Sequence, residues 1–259
     1  MPDILPSADF DFSGRSALIT GAASGIGAAM AHWLDARGIA HLVLVDLDAD
    51  GLTALSLDCK VERVAGDVSD PAFWAGFADR PAFDHVLVNA GISDAFPIAG
   101  ADFARWRRVM AVNLDGAFLT LSAVLGAMQR AGKGSVVVTA SAAATKPEAT
   151  TAAYAASKAA LVQLARVAAK EVAPDGVRVN AIAPGGVDTP IWDGMEFFAG
   201  MAKDAGSREA AIAAMGKMAT PLGRYASAQE IAGQIGFLLS DMAATITGAV
   251  LASDGGYTL

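Results

Sequence analysis

Ser16-Ala17-Leu18-Ile19-Thr20-Gly21-Ala22-Ala23-Ser24-Gly25-Ile26-Gly27 decides the fold. A short apolar, β-forming run passes directly into a glycine-rich turn, and the helical pattern Ala28 to Arg37 follows. Glycines let a backbone turn sharply and approach a pyrophosphate, and a helix start offers unpaired N–H groups and the positive end of a dipole. The spacing is T-G-x-x-x-G-x-G, with a longer first turn than G-x-G-x-x-G. Its position between a first strand and a first helix makes it a phosphate site. Asp46 ends the second strand nineteen residues after Gly27. A carboxylate there binds both ribose hydroxyls and repels a 2′-phosphate. Leu47-Asp48 follows, with no Arg or Lys, so the reading favours NAD over NADP.

Outward from that turn, β-rich runs alternate with Ala/Leu-rich helical stretches: Ser16 to Thr20, His41 to Asp46, Val61 to Ala65, His85 to Asn89, Ser135 to Thr139, Val177 to Ile182 and Ala249 to Ala252. These runs show little polar alternation, which predicts a seven-stranded parallel sheet covered by helices on both faces. The fold class is a doubly wound α/β Rossmann fold, whose ligands sit beyond the carboxyl ends of the strands. No linker, repeat or low-complexity tract divides the 259 residues, so residues 1–259 are expected to form one domain.

Residues 1–13 carry Pro, Asp and Ser in place of a basic segment and an apolar core, so they predict an extension over the fold and no signal peptide. Hydrophobic residues make up 54%, largely through alanine. Gly, Ser and charges break the apolar runs before membrane-spanning length, and a soluble protein without a membrane partner is expected. The single cysteine, Cys59, excludes an internal disulfide and fits the cytoplasm. A net charge of −8 argues against nucleic acid as a partner. Arg105, Arg107 and Arg108 fall on an amphipathic helical pattern and are expected to be solvated.

Two further strand ends, Asp67-Val68 and Asn89-Ala90-Gly91, lie where an adenosine would sit. Asp67 can accept from an adenine amino group and Gly91 allows close approach, but both motifs also serve as turn chemistry. Tyr154 and Lys158 are four residues apart, on one face of a helix. A free tyrosine has a pKa of about 10, and a nearby cation brings it toward use as an acid or base.

The glycine loop, Asn89-Ala90-Gly91 and Tyr154-x-x-x-Lys158, in this order, resemble the short-chain dehydrogenase/reductase family over nearly the whole chain. The family's usual Asn-Asn-Ala-Gly reads Val88-Asn89-Ala90-Gly91 here, with the second asparagine kept. The resemblance implies a catalytic tetrad of Asn113, Ser141, Tyr154 and Lys158. It implies cofactor contacts from Gly21, Ser24, Gly25, Ile26, Gly27, Asp46, Asp67, Val68, Asn89, Ala90 and Gly91, together with Tyr154 and Lys158. Pro184, Gly185, Val187 and Thr189 are implied around the nicotinamide, Val187 through its backbone and Thr189 through its hydroxyl. Tyr154 would exchange a proton with the substrate oxygen that Ser141 holds. Lys158 would hold the nicotinamide ribose and depress the tyrosine pKa, and Asn113 would fix a water in a proton relay. No metal is needed. His32, His41 and His85 lie on a helix or at strand starts, and no G-x-S-x-G elbow supports a hydrolase.

Between Thr189 and Thr220 the chain is rich in Ile191, Trp192, Met195, Phe197, Phe198, Met201, Ile212, Met215 and Met218. The resemblance makes about 190–220 an insertion that closes over the substrate. Its apolar character suggests a hydrophobic or bulky secondary alcohol or ketone, although packing of the insertion onto the core explains the same residues. Ala142, Ala143 and Ala144 leave room, while Phe96, Lys146 and Glu148 could reach the pocket. A polyol, sugar or 3-hydroxyacyl substrate is the alternative, and a non-catalytic NAD-binding regulator the other class, against which the intact tetrad argues. An acyl-carrier-protein ketoreductase is disfavoured by the acidic balance and Asp46. By analogy with the family a homotetramer is expected, with the Asn113 and Tyr154 helices in one interface and Asp254 to Leu259 near another.

Overall fold

The computed structural model describes residues 10–77 and 79–259. Most of the predicted extension, residues 1–9, lies outside the described residues. Its described end packs closely: Phe12 is fully buried, and Phe10 and Phe12 both meet the Trp33 ring edge-on.

Strands β1 (Ser16–Thr20), β2 (His41–Asp46), β3 (Lys60–Ala65), β4 (His85–Val88), β5 (Gly134–Thr139), β6 (Val177–Pro184) and β9 (Val250–Ser253) form one seven-stranded sheet. Its order is β3-β2-β1-β4-β5-β6-β9, parallel throughout. The chain winds outward from β1 to β3, then returns past β1 to β4, so a crevice opens between the ends of β1 and β4. Val137 faces one core and Val136 and Val138 the other, as two covered faces require. Helices α1 (Gly25–Asp35) and α9 (Ala228–Leu239) cover the first face. The second is covered by α5 (Gly116–Ala131) and α6 (Ala152–Val172). Short α2 (Ala49–Ala54), α3 (Pro71–Ala75) and α4 (Phe103–Met110) complete the first two thirds, and α7 (Glu196–Ala205) and α8 (Arg208–Ala219) form the insertion.

Several bounds differ from the sequence reading: β3 and β5 each begin one residue earlier, β6 runs on to Pro184, and β9 is Val250–Ser253. The first helix starts at Gly25, inside the glycine turn, and ends at Asp35. β4 stops at Val88, because the Asn89 N–H leaves the ladder to donate to Thr20 Oγ1 at 3.0 Å. A two-residue parallel pair, β7 (Val187–Asp188) with β8 (Ala226–Ser227), is too short to leave a periodic signal. One premise of the membrane expectation, that Gly, Ser and charges break every apolar stretch short of spanning length, does not hold for one helix. From Phe103 to Ala131, α4, a π-helical turn at Ala111–Asp115 and α5 form one unbroken 29-residue helix, long and apolar enough by length and composition to cross a membrane. Its glycines and Ser122 sit within the helix without ending it. Here Ala117, Leu121, Val124 and Met128 turn inward onto the sheet.

Candidate active site

The glycine turn is curled against its own backbone. A Cβ on Gly27 would lie 2.0 Å from the Gly21 carbonyl oxygen, and one on Gly21 would lie 2.8 Å from Ala90 Cα. Gly21 and Gly25 also have φ of +67° and +54°, the left-handed region open to glycine at no steric cost. Ser24 caps α1 in extended conformation without a side-chain hydrogen bond to the helix, and the first turn holds no acidic residue. The N–H groups of that turn, with the dipole behind them, fit a pyrophosphate.

Thr20 and Asn89 hold this cradle. Thr20 Oγ1 accepts from the Asn89 and Ala90 N–H groups at 3.0 and 3.2 Å, and Asn89 Nδ2 donates to the Thr20 and Gly21 carbonyls at 3.3 and 3.2 Å. Asn89 and Ala90, expected as cofactor contacts, thus commit these polar groups to fixing the loop. Asp46 accepts from the Ala23 N–H at 2.9 Å and the Asp48 N–H at 3.0 Å, one bond to each carboxylate oxygen. Each oxygen keeps a lone pair for a ribose hydroxyl. Asp67 Oδ1 accepts from the N–H and hydroxyl of Ser69 at 2.8 and 2.7 Å, the turn chemistry that the sequence left open. Val68 gives its carbonyl to the Trp74 indole at 2.9 Å and its side chain to Gly116.

Four elements converge beside the cradle. The π-helical turn places Asn113 fully inside, where Oδ1 accepts from the Ile92 N–H at 2.8 Å and Nδ2 donates to the Ile92 carbonyl and Ser157 Oγ, both at 3.0 Å. The side chain is thereby engaged at both ends, and only the second lone pair of Oδ1 is left for a water. Lys158, buried on α6, donates from Nζ to the Thr139 carbonyl at the end of β5 at 2.9 Å. Burial pulls its pKa down to about 8. Gly91 admits this arrangement: a Cβ there would lie 3.3 Å from Lys158 Nζ and 3.4 Å from Asn113 Oδ1. Ser141 starts the 3-10 turn Ala142–Ala144, accepts from the Ala143 N–H at 3.1 Å, and its hydroxyl acts to lower the Tyr154 pKa. Burial raises the Tyr154 pKa, and the Ser141 hydroxyl opposes this without reversing it. Lys158 Nζ lies 5.6 Å from the centre of the Tyr154 ring. Burial thus sets the direction of the Tyr154 shift in this structure, and the implied depression by Lys158 does not accompany it.

Residues 184–189 flank the cluster. The Gly185 N–H donates to the Ser253 carbonyl at 3.0 Å, and the Val187 carbonyl accepts from the Trp192 indole at 2.8 Å. Thr189 is buried beside Gly25, where a Cβ would come within 3.4 Å of it. In the insertion Phe198, Ile212 and Met215 bury one another, and Trp192 stacks on Tyr225 at 5.8 Å. Those residues build the insertion's own small core, while Phe197 and Met218 stay exposed.

Lys146 and Glu148, considered from sequence as substrate-binding groups, are occupied by the tail. Lys146 Nζ donates to the Tyr257 carbonyl at 2.7 Å and lies over its ring, and the Tyr257 hydroxyl donates to Glu148. Phe96 is buried against Val109 and Ala153. Sequence reading missed Thr20, Ser157, Arg208, Tyr225 and Tyr257. Their partners are distant in the chain or are backbone groups, so no local spacing marks them.

A family model described as enoyl-(acyl carrier protein) reductase matches residues 21–258. Cis-4-hydroxycyclohexanecarboxylate dehydrogenase of Sinomonas cyclohexanicum is 39% identical over 257 residues, covering 95% of this chain and 98% of its own. D-threitol dehydrogenase of Mycolicibacterium smegmatis is 40% identical over 269 residues, covering 98% and 97%. The crystal structure of L-sorbose reductase from Gluconobacter frateurii, complexed with NADPH and L-sorbose, matches with a TM-score of 0.89 and 29% identity, covering 96% of this chain and 98% of that one. Likeness of this degree, along almost the full length of each partner, places the chain in the short-chain dehydrogenase/reductase family.

Proposed function

We propose that the protein is an NAD-dependent dehydrogenase of a bulky, largely apolar secondary alcohol, acting reversibly on the ketone, with Tyr154 as acid/base. It is an oxidoreductase acting on CH–OH donors and takes a nicotinamide cofactor. The observation that carries the mechanism is the convergence of Ser141, Tyr154 and buried Lys158 at the strand ends beside the glycine cradle.

NAD, when bound, supplies the hydride acceptor. Gly21 to Gly27 would receive its pyrophosphate on the start of α1, and Asp46 its adenosine ribose. Lys158 has two ammonium protons beyond its bond to Thr139, enough to hold the nicotinamide ribose. Tyr154 takes the proton from the substrate hydroxyl in oxidation and returns it in reduction, while Ser141 donates to the oxygen on which charge develops. A cation held near this oxygen favours phenolate, against the burial that disfavours it.

NAD over NADP is supported by Asp46, by the exposed Leu47 beside it, and by Asp48 next in the chain. The similarity to a hydroxycyclohexanecarboxylate dehydrogenase supports an alicyclic alcohol, as does the room left by Ala142 to Ala144. The D-threitol dehydrogenase relative supports a polyol as second reading. A single domain, an insertion at 190–220 that covers the substrate, a homotetramer and a cytoplasmic location complete the proposal. The half-exposed Phe118 on α5 supports a covered helix face in the assembly, and the lone Cys59 supports a reducing compartment.

Purified protein assayed at 340 nm with NAD and with NADP, over substituted cyclohexanols, polyols and hydroxyacyl thioesters, tests this reading. NAD-linked turnover of cyclohexanols is expected. Preference for polyols would install the second reading, and no turnover of any alcohol would overturn the function.

A further inference from the structure

Arg208 opens α8 and sends its polar contacts back to the turn in front of it. Nε donates to Asp193 Oδ1 at 2.8 Å, Nη1 to Asp188 Oδ1 at 2.6 Å, and Nη2 to the Thr189 carbonyl at 3.0 Å. The guanidinium also lies 5.9 Å from the centre of the buried Phe198 ring on α7. One side chain therefore joins both insertion helices to residues 188–193. Two of those residues meet the glycine cradle at Gly25: a Cβ there would lie 3.4 Å from Thr189 and 3.9 Å from Pro190 Cδ.

We propose that Arg208 is a positioning residue for the cofactor, a latch that holds residues 188–193 across the cradle and sets how long a dinucleotide stays bound. The inference rests on the reading that the cradle holds a dinucleotide. A planar guanidinium presents its donors in fixed directions, so it registers three acceptors at once, which a lysine ammonium on a flexible stem cannot do. Side-chain exposure is 31% for Arg208 and 44% and 48% for Asp188 and Asp193. Pairs this accessible add little to global stability and are weakened by salt. Breaking them frees the strap and leaves the fold standing.

The test is stopped-flow release of NADH from wild type, Arg208→Ala and Arg208→Lys, with equilibrium binding of 5′-AMP and thermal unfolding of each. NADH release is expected to quicken about fivefold or more in Arg208→Ala and less in Arg208→Lys, since altered contacts appear mainly in off-rates. Affinity for 5′-AMP, held at the Asp46 end, should be unchanged. Added KCl should speed release from wild type and leave Arg208→Ala unaffected. A folded Arg208→Ala that releases NADH at the wild-type rate, or loses AMP and NADH affinity in equal measure, overturns the latch. Should Arg208→Ala fail to fold, Asp193→Asn carries the same comparison. Failure of wild type to bind NADH at all would overturn the dinucleotide reading instead.

Discussion

Asn113 and Ile92 exchange two hydrogen bonds, the Ile92 N–H to Oδ1 at 2.8 Å and Nδ2 to the Ile92 carbonyl at 3.0 Å. The same Nδ2 reaches Ser157, whose hydroxyl donates to the Tyr154 carbonyl at 2.7 Å. The loop after β4 and the helix that carries Tyr154 are thus tied through one carboxamide. Asn113→Ala strips both Ile92 groups of partners. An unpaired donor away from water costs about 1–3 kcal/mol, so in a chain of this size the melting temperature should fall by roughly 2–12 °C, together with turnover. An unchanged calorimetric midpoint would show that the tie contributes nothing to the fold.

Tyr154→Phe keeps the ring and removes the exchangeable proton. Turnover should drop by about a hundredfold or more, the low end for general acid–base catalysis, while NADH affinity stays close to wild type. Turnover at the wild-type level would remove Tyr154 from the chemistry.

Burial sets a pH window for Lys158. Its pKa of about 8 in this structure means that the ammonium is fully charged below pH 7 and is lost as pH rises through 8. A ribose held by the charged form should bind with full affinity at pH 7. Above pH 8 the NADH dissociation constant should climb by up to about tenfold per unit, since binding must then recapture a proton. Fluorescence titrations from pH 6.5 to 9.5 measure this, with Lys158→Met expected to be weak and flat. A wild-type profile as flat as the variant's would detach Lys158 from cofactor binding.

Legibility followed the range of the interaction. The run Ser16 to Thr20 and the glycines after it are local signals, and β1 and β2 appear with the bounds read from sequence. Tyr154 and Lys158 were also legible, because four residues on a helix is a short-range relation. The engagement of Asn89 with Thr20 was not, since the two stand 69 residues apart and only the crossing from β1 to β4 brings them together. Lys146 read as a group that could reach the pocket because its partner, the Tyr257 carbonyl, lies 111 residues on. The pKa of Tyr154 was not legible for a different reason: spacing shows a neighbouring cation but not the desolvation of the phenol.

His85 carries a pH-dependent cost away from the site. It is 2% exposed at the start of β4, edge-on to Phe12 at 4.9 Å, with no hydrogen-bond partner for either ring nitrogen among the described residues. Burial first, then the nearby Arg15 charge, lowers its pKa to about 4, while Asp84 and Asp241 pull the other way. An unfolded histidine titrates near its ordinary value of about 6.5. Between those values the unfolded chain holds a proton that the native ring refuses, so stability falls as pH drops from 6.5 toward 4. At pH 5 the loss relative to pH 7 should be about 2 kcal/mol, from 1.36 kcal/mol per pH unit. The carboxylates held below their usual range, Asp84, Asp241 and Glu230, lose their contribution only further into acid, which leaves the window from pH 6.5 to 5 to the histidine. His85→Phe and His85→Leu cannot take up the proton, and urea unfolding at pH 7 and 5 should show their stability changing less than that of wild type. Equal changes in all three proteins would mean that His85 is protonated as readily in the native state as in the unfolded chain.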